Sequence, residues 1–185
     1  CIVTTPYENL HILPSSLDLA AAELEISDKK GRESILKNAL LPIKQYYDYI
    51  VIDCPPSLGL ITTNALTASD TFLVPIQCEY YALEGLTQLM STVRRIKRQY
   101  NNTIDIEGVL LTMYDGRLNL TQQVVEEVKK FFPRKVFKTV IPRGVRLSEA
   151  PSFGMPVIYY DKNCKGSITY TELAKEIIAK ERSYE

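Results

Sequence analysis

Short apolar runs rich in isoleucine, valine and leucine recur along the chain and alternate with longer segments of helical periodicity. Each run is continuously apolar rather than alternating with polar residues, which is typical of a parallel strand buried on both faces. The predicted strands are residues 10–13, 49–53, 71–76, 108–113 and 136–141.

Between and after these runs, apolar residues repeat at spacings of three and four, which predicts amphipathic helices. The helical patterns lie within residues 35–43, 83–96, 124–132 and 170–178. Alternating strands and helices predict an α/β fold: a doubly wound, mostly parallel sheet with helices on both faces and a ligand site at the carboxyl ends of the strands. Because no repeat, linker or low-complexity stretch interrupts the pattern, we expect a single domain over residues 1–185.

Charge changes this picture, because a neutral total hides a basic segment. The 185 residues contain 22 Lys and Arg against 22 Asp and Glu, which argues against a uniformly basic nucleic-acid binder. Residues 86–146, however, hold 12 basic and 5 acidic residues, a net charge of +7, while residues 1–85 hold 5 basic and 11 acidic residues, a net charge of −6.

Composition excludes several classes of protein. No apolar run approaches the roughly 20 residues that span a bilayer, and the first residues lack the pattern of a signal peptide, so we expect a cytoplasmic protein with no membrane attachment. The four cysteines form no C-x-x-C pair and His11 is the one histidine, which leaves little material for a zinc site. Reduced thiols are the simplest interpretation of Cys1, Cys54, Cys78 and Cys164.

The predicted strand 49–53 ends on Asp53, and the chain turns at once through Pro55 and Pro56. A carboxylate at the tip of a buried strand is suited to orienting Mg²⁺ and its waters against phosphates. An aspartate in this place also commonly caps the helix that follows. From this residue alone, both interpretations stand.

Four long segments carry a resemblance to a known family. They are YDYIVIDCPPSLGLITTNAL (47–66), VPIQCEYYALEGLTQL (74–89), EGVLLTMYDGR (107–117) and IPRGVRLSEAPSFGMPV (141–157). In this order they closely resemble the ParA/Soj-type chromosome and plasmid partitioning ATPases, over essentially the whole chain. The resemblance implies a P-loop ATPase that binds ATP and Mg²⁺, dimerises around ATP and binds DNA non-specifically. It also implies hydrolysis stimulated by a ParB/Spo0J-like centromere-binding partner, and a nucleoid-associated location in the cytoplasm.

The resemblance also assigns residues by position. Asp53 matches the Walker B aspartate, which acts on Mg²⁺ through water. The segment Gln77–Tyr81 matches a loop near the dimer face and the γ-phosphate. Arg117 and Arg146 match basic positions that contact DNA, and we rank them above the lysine-rich residues 129–138. The loops that enclose the adenine match Thr112, Met113, Tyr114, Pro142 and Arg143.

The chain lacks one part of the family pattern. A P-loop needs a glycine-rich backbone and a lysine to hold phosphates, yet the 185 residues contain no Gly-Lys dipeptide. We therefore expect the C-terminal three quarters, roughly, of a ParA-type domain, with the strands before it missing. We also expect these residues alone neither to bind ATP tightly nor to hydrolyse it.

Other functions remain open at this point. A MinD-type division-site ATPase shares the fold, but its tail is a basic membrane helix, whereas residues 170–185 carry both signs of charge and apolar residues at core spacing. An iron–sulfur reductase component would need cysteines placed to share a cluster. A truncated, non-catalytic scaffold that binds DNA or a partner is the third alternative.

Overall fold

The computed structural model describes residues 1–79 and 84–181, and contacts within the chain group it into two compact units, Cys1–Ala68 and Ser69–Glu185. Helices and a parallel sheet are both present, as expected for an α/β fold. The expectation of one domain over residues 1–185 stays a prediction.

The first unit is mainly helical. Its β1 and β2 are two-residue strands that pair antiparallel, with Val3 opposite Ile12. Short 3₁₀ helices precede and follow α2. In chain order the elements are β1 (Val3–Thr4), β2 (His11–Ile12), α1 (Asp18–Glu25), a 3₁₀ helix (Arg32–Ser34), α2 (Ile35–Leu40), a second 3₁₀ helix (Lys44–Tyr46) and α3 (Leu60–Ala68).

A buried asparagine joins α2 to α3. The Asn64 side-chain amide donates to the carbonyl oxygens of Arg32 at 2.8 Å and Leu60 at 3.0 Å. Its oxygen accepts the backbone N–H of Leu36 at 3.1 Å. The bond to Leu60 stays within α3, whereas the bonds to Leu36 and Arg32 tie α3 to α2 and to the 3₁₀ helix before it. Because an unpaired polar group inside a protein is costly, these two contacts fix how the helices meet.

Two of the five strand predictions are wrong, and both lie in the first unit. Residues 10–13 contain a short, exposed antiparallel strand, and residues 49–53 form no strand, with Val51 90% exposed. An apolar run becomes a buried strand only when neighbouring strands accept and donate its backbone hydrogen bonds. Within residues 1–68, whose backbone is described throughout, strand pairing is confined to β1 and β2.

The second unit contains the parallel sheet. Here β3 and β4 pair in parallel from Thr71 opposite Asp105 to Gln77 opposite Thr112, which confirms the strands predicted at 71–76 and 108–113. A 3₁₀ helix, Ala150–Phe153, lies between α6 and α7. In chain order the elements are β3 (Thr71–Gln77), α4 (Glu84–Gln99), β4 (Asp105–Thr112), α5 (Asn119–Phe131), α6 (Val145–Glu149), α7 (Val157–Tyr160) and α8 (Lys165–Glu181).

The last predicted strand, 136–141, is only partly formed. It runs parallel to β4 and forms two isolated bridges. Val136 pairs with Val109 of β4, and Pro142 pairs with Tyr114, two residues after the end of β4. Residues 135–143 are called the edge segment below. Where it is interrupted, the edge segment makes contacts with α8.

Side chains of β4 enter two apolar clusters on opposite faces of the sheet. Val109 and Leu111 face the first cluster, with residues of α4 and α5, and Leu110 faces the second, with Phe137 and Leu173. This confirms a strand buried on both faces. The buried members of the first cluster are Val74, Ile76, Cys78, Leu86, Ile106, Val109, Leu111, Val124, Val125, Val128 and Phe132.

Candidate functional site

The carboxyl ends of the strands in the second unit meet at one place. The N–H of Cys78, just beyond β3, donates to the Thr112 carbonyl at the end of β4 at 3.1 Å. The next residue, Met113, has a φ of +51°, in the left-handed region that L-residues rarely adopt. The chain therefore turns sharply as it leaves β4.

The edge segment lies beside this turn. The Tyr114 N–H donates to the Ile141 carbonyl at 3.0 Å, and the Arg143 N–H donates to the Tyr114 carbonyl at 3.4 Å. Backbone hydrogen bonds thus bring together the two stretches that the resemblance assigns to adenine, 112–114 and 142–143.

A cavity of about 600 Å³ opens between these stretches and the helices that follow. Four of the five residues predicted to surround adenine line it, and we call it the base cavity. Tyr114 is the exception, since it packs against the first cluster and its hydroxyl lies 3.3 Å from the Gln122 side-chain nitrogen. The lining residues are Thr112, Met113, Ile141, Pro142, Arg143, Gly144, Val145, Leu147, Ser148 and Tyr170.

The predicted set misses six of these ten lining residues, including Tyr170 of α8. Tyr170 belongs to the apolar repeat of the last helix, and that repeat predicts a core position, not a cavity wall. Apolar side chains, backbone groups and one aromatic ring make a wall that suits a flat heteroaromatic ligand. The volume lies within the usual range for small-molecule sites.

An ion pair lies at the same end of the sheet. Arg143 donates to the Glu79 carboxylate at 3.2 Å, which joins the loop after β3 to the edge segment. Both side chains are exposed, so the pair contributes little to stability, about 0–1 kcal/mol. Of the predicted loop Gln77–Tyr81, Tyr80 and Tyr81 lie outside the described residues.

Asp53 belongs to the first unit, where it is exposed and outside any strand. The described residues contain no group of three acidic, histidine or cysteine side chains that would form a metal cage. Mg²⁺ that arrives on a nucleotide needs no cage, because it uses one or two carboxylates together with phosphate oxygens and water. The single Asp53 carboxylate fits that kind of coordination.

The cysteine chemistry is that of inert thiols. Partial burial and the negative charge of Asp53 raise the pKa of the Cys54 thiol. Burial raises the pKa of Cys78, which belongs to the first apolar cluster. Neither is activated as a thiolate, the form that binds metals and acts as a nucleophile.

The predicted DNA contact Arg117 is held by a carboxylate. Its guanidinium donates to both oxygens of Asp115, Nε to Oδ1 at 2.9 Å and Nη2 to Oδ2 at 2.6 Å, while 87% of its side chain stays exposed. Hydrogen bonds from Arg117, together with the positive charges of Arg117 and Arg143, lower the pKa of Asp115 to about 2. The Arg117 charge is thus offset locally but reachable from solvent.

Arg146 of α6 has a similar environment. It donates to Glu149 at 2.9 Å, lies 3.4 Å from Asp161, and sits 6.0 Å from the centre of the Tyr160 ring. Some of the lysine-rich residues 129–138 are paired too, as Lys130 with Glu127 and Lys135 with Asp105 show. Acidic neighbours therefore offset part of the basic segment.

In the part of the chain that the structure describes, no helix combines the length and apolar character needed to cross a membrane.

Comparison with known proteins identifies the family. The family model described as an AAA domain matches residues 1–106, more than half of the chain. The sporulation initiation inhibitor protein Soj of Bacillus subtilis (strain 168) is 59% identical over 178 residues, which cover 96% of this chain and 70% of Soj. The chromosome-partitioning ATPase Soj of Treponema pallidum (strain Nichols) is 49% identical, with the same coverage of both chains.

A solved structure shows the same fold. Cobyrinic acid a,c-diamide synthase from Mycobacterium smegmatis, with bound ADP and magnesium, is 33% identical and superposes with a TM-score of 0.84, covering 100% of this chain and 68% of that one. The predicted P-loop NTPase-like α/β fold is confirmed by this neighbour. With 59% identity to Soj across most of its length, the chain belongs to the ParA/Soj family of chromosome-partitioning ATPases.

Proposed function

We propose that the protein carrying this chain is a DNA-partitioning ATPase that binds ATP with its adenine in the base cavity. The observation that supports this most is the convergence of Thr112, Met113, Pro142 and Arg143 on one cavity. Each residue of the first stretch lies 29 to 31 positions before each residue of the second, and the backbone bonds of Tyr114 bring the two stretches together.

The lining suggests how a base is held. Met113 and Pro142 supply apolar surface, and the Tyr170 ring supplies an aromatic wall. Asp53 is the residue proposed to orient Mg²⁺ through water; the bound Mg–ATP supplies the phosphoryl group for transfer to water. Tight binding of ATP by these 185 residues is not expected, because they contain no Gly-Lys phosphate loop.

DNA binding, dimerisation around ATP and stimulation by a ParB-like partner complete the proposal. The Soj relatives support them at the level of the family. On this chain, Arg117 and Arg146 are the proposed DNA contacts, and a DNA phosphate would replace Asp115 or Glu149 as the partner of each arginine.

Occlusion of the base cavity tests the proposal. Ser148 is exposed and lines the cavity, so Ser148→Phe should fill it; Ser152 is exposed four residues later and lies outside the lining, so Ser152→Phe is the matched control. AMP is the probe, titrated while backbone amide shifts are recorded by NMR. We expect weak binding, with shifts at Thr112, Met113 and Gly144 in the wild type and control.

In Ser148→Phe these shifts should vanish. Shifts confined to residues outside the cavity, or equal shifts in both variants, would contradict the assignment of the base cavity. AMP carries one phosphate and contributes binding mainly through its base and ribose, so the missing phosphate loop does not decide the outcome.

A further inference from the structure

The edge segment departs from a regular parallel ladder at one point. The Val109 N–H donates to the Lys135 carbonyl at 2.8 Å, and the Phe137 N–H donates to the Val109 carbonyl at 3.0 Å, as in an ordinary parallel pair. In the same register, the Leu111 carbonyl would accept the N–H of Thr139. It accepts the N–H of Ile141 instead, at 2.9 Å.

One backbone donor, the Thr139 N–H, is therefore displaced from β4, while the N–H of the neighbouring Lys138 points away from β4 in a regular parallel strand. Both N–H groups are accepted by one side chain of α8. Glu176 takes the Lys138 N–H on Oε1 at 2.7 Å and the Thr139 N–H on Oε2 at 2.9 Å. One carboxylate thus accepts the Thr139 donor that β4 no longer accepts, together with the neighbouring Lys138 donor.

The charge state suits this arrangement. Partial burial raises the pKa of Glu176, but hydrogen bonds from Lys138 and Thr139 and the Lys138 charge outweigh it, and the net shift is downward. Glu176 is ionised at neutral pH, and hydrogen bonds to an ionised acceptor are about twice as strong as neutral ones.

Further contacts hold α8 in place for this task. Lys180, four residues after Glu176, donates to the Glu107 carboxylate at 2.9 Å and to the Glu107 backbone carbonyl. Leu173, three residues before Glu176, packs in the second apolar cluster with Phe137. The contacts at Leu173 and Lys180 bracket Glu176 on the face of α8 that meets the sheet.

We propose that Glu176 is a positioning residue for the base cavity: by holding the displaced backbone of Lys138 and Thr139, it sets where Ile141, Pro142 and Arg143 lie. The proposal rests on the proposed function, since it concerns the same cavity. Ile141 is the first residue to rejoin β4 after the excursion, and the next two residues line the cavity with it. Glu176 is absent from the cavity lining, so it acts through the backbone.

The experiment compares three variants with the wild-type chain, using AMP as the probe and amide shifts as the readout. Glu176→Ala removes both acceptors. Glu176→Gln keeps one carbonyl oxygen and the shape of the side chain. Glu172→Ala is the matched control, because Glu172 is an exposed glutamate of the same helix, four residues away.

We expect AMP affinity to fall by about fivefold or more in Glu176→Ala, by less in Glu176→Gln, and by under about twofold in Glu172→Ala, a scale set by the loss of charged hydrogen bonds. The amide resonances of Lys138 and Thr139 should move in both Glu176 variants. Val128→Ala, which opens the other face of the sheet, serves as a destabilised variant whose AMP affinity should stay near that of the wild type.

The outcomes separate the two proposals. Wild-type binding at the cavity with unchanged affinity in both Glu176 variants overturns the positioning role alone. Equal losses of affinity in Glu176→Ala and Val128→Ala also overturn it, because general destabilisation then explains the effect. If the wild type shows no AMP shifts at the cavity, the base cavity itself is overturned, and the role of Glu176 with it. Should Glu176→Ala fail to fold, the graded loss in Glu176→Gln decides.

Discussion

Asp115 and Arg117 form a bidentate ion pair in the turn that follows β4, which ends at Thr112. The pair also includes a hydrogen bond from the Arg117 backbone N–H to Asp115 Oδ1 at 3.1 Å. A turn closed in this way presents the arginine outward while its charge is offset. The protonation of Asp115 is therefore a direct measure of the pair.

We predict that the Asp115 carboxyl titrates with a pKa of about 2 in the folded protein, and that Arg117→Gln returns it towards its usual 3.8. A carboxyl whose pKa is lowered on folding stabilises the fold above its unfolded pKa, and this contribution is lost as the pH falls through the folded pKa. The window therefore runs from 3.8 down to about 2. A ¹³C NMR titration of the Asp115 side chain in the wild type and in Arg117→Gln measures it.

A midpoint for Asp115 at its usual 3.8 would show that the pair does not persist in solution. Loss of the shift in Arg143→Gln as large as in Arg117→Gln would show that long-range charge, not the hydrogen bonds, lowers the pKa.

The residues in and around the base cavity differ in how readily the sequence predicts their role. Thr112, Met113, Pro142 and Arg143 stand in contiguous strings that resemble a family, so position alone names them. Tyr170 and Glu176 stand in a helical repeat, where an aromatic residue predicts core and a glutamate predicts solvent. Their roles depend on which backbone α8 packs against, and no local pattern encodes that contact.

At the scale of elements, a glycine controls how closely the edge segment approaches β4. A Cβ on Gly108 would lie 2.5 Å from the Phe137 ring and 3.0 Å from the Lys135 carbonyl oxygen. Both neighbours belong to the edge segment, and Phe137 is a buried member of the second apolar cluster. The strand pairing and the packing of Phe137 therefore both require glycine at position 108.

We predict that Gly108→Ala destabilises the protein by about 1–3 kcal/mol, because the ring and the backbone must both move. The matched control is Gly85→Ala in α4, where an added Cβ meets nothing within 4 Å and alanine favours the helix. Urea unfolding followed by circular dichroism measures both. Equal stability of the two variants would mean that the edge segment yields without cost.

The strands predicted correctly are those whose apolar run lies beside another strand that pairs with it. The runs at 71–76 and 108–113 pair with each other, so their apolar character is realised as a parallel sheet. The run at 49–53 is also apolar and rich in isoleucine and valine, yet apolar residues do not specify the neighbour that a strand needs. The edge segment is intermediate, since it pairs at both ends and gives its middle donors to Glu176.

At the scale of the whole molecule, basic and acidic residues are concentrated in different segments of the sequence. The net charge of zero combines a net +7 over residues 86–146 with a net −6 over residues 1–85 and a net −1 over residues 147–185. Within the basic segment, Arg117 and Arg146 each carry carboxylate partners. Under the proposed function, a DNA phosphate would compete with those carboxylates, so variants of the acidic partners test the proposal as directly as variants of the arginines.

We predict that Arg117→Gln and Arg146→Gln each weaken DNA binding by the full-length protein for all sequences alike, and reduce the salt slope by about 1. Asp115→Asn should strengthen binding, because it frees the Arg117 guanidinium. Fluorescence anisotropy with labelled duplexes over a series of salt concentrations measures both effects, with Glu127→Gln, which frees Lys130, as the control. Unchanged affinity and slope in both arginine variants would refute the assignment.

Gly108 and Phe137 have one more consequence, for the alignment of the sheet. The residues after Gly108 are apolar toward both faces, so sliding β4 by one position would exchange one buried side chain for another, and hydrophobicity would hardly oppose it. The ring of Phe137 opposes it, because it finds room only against a residue without a side chain. Such a slide would move Thr112 and Met113 by about 3.3 Å relative to Pro142. The absence of a side chain at Gly108 therefore fixes the register between β4 and the edge segment, and that register sets how the opposing walls of the base cavity line up.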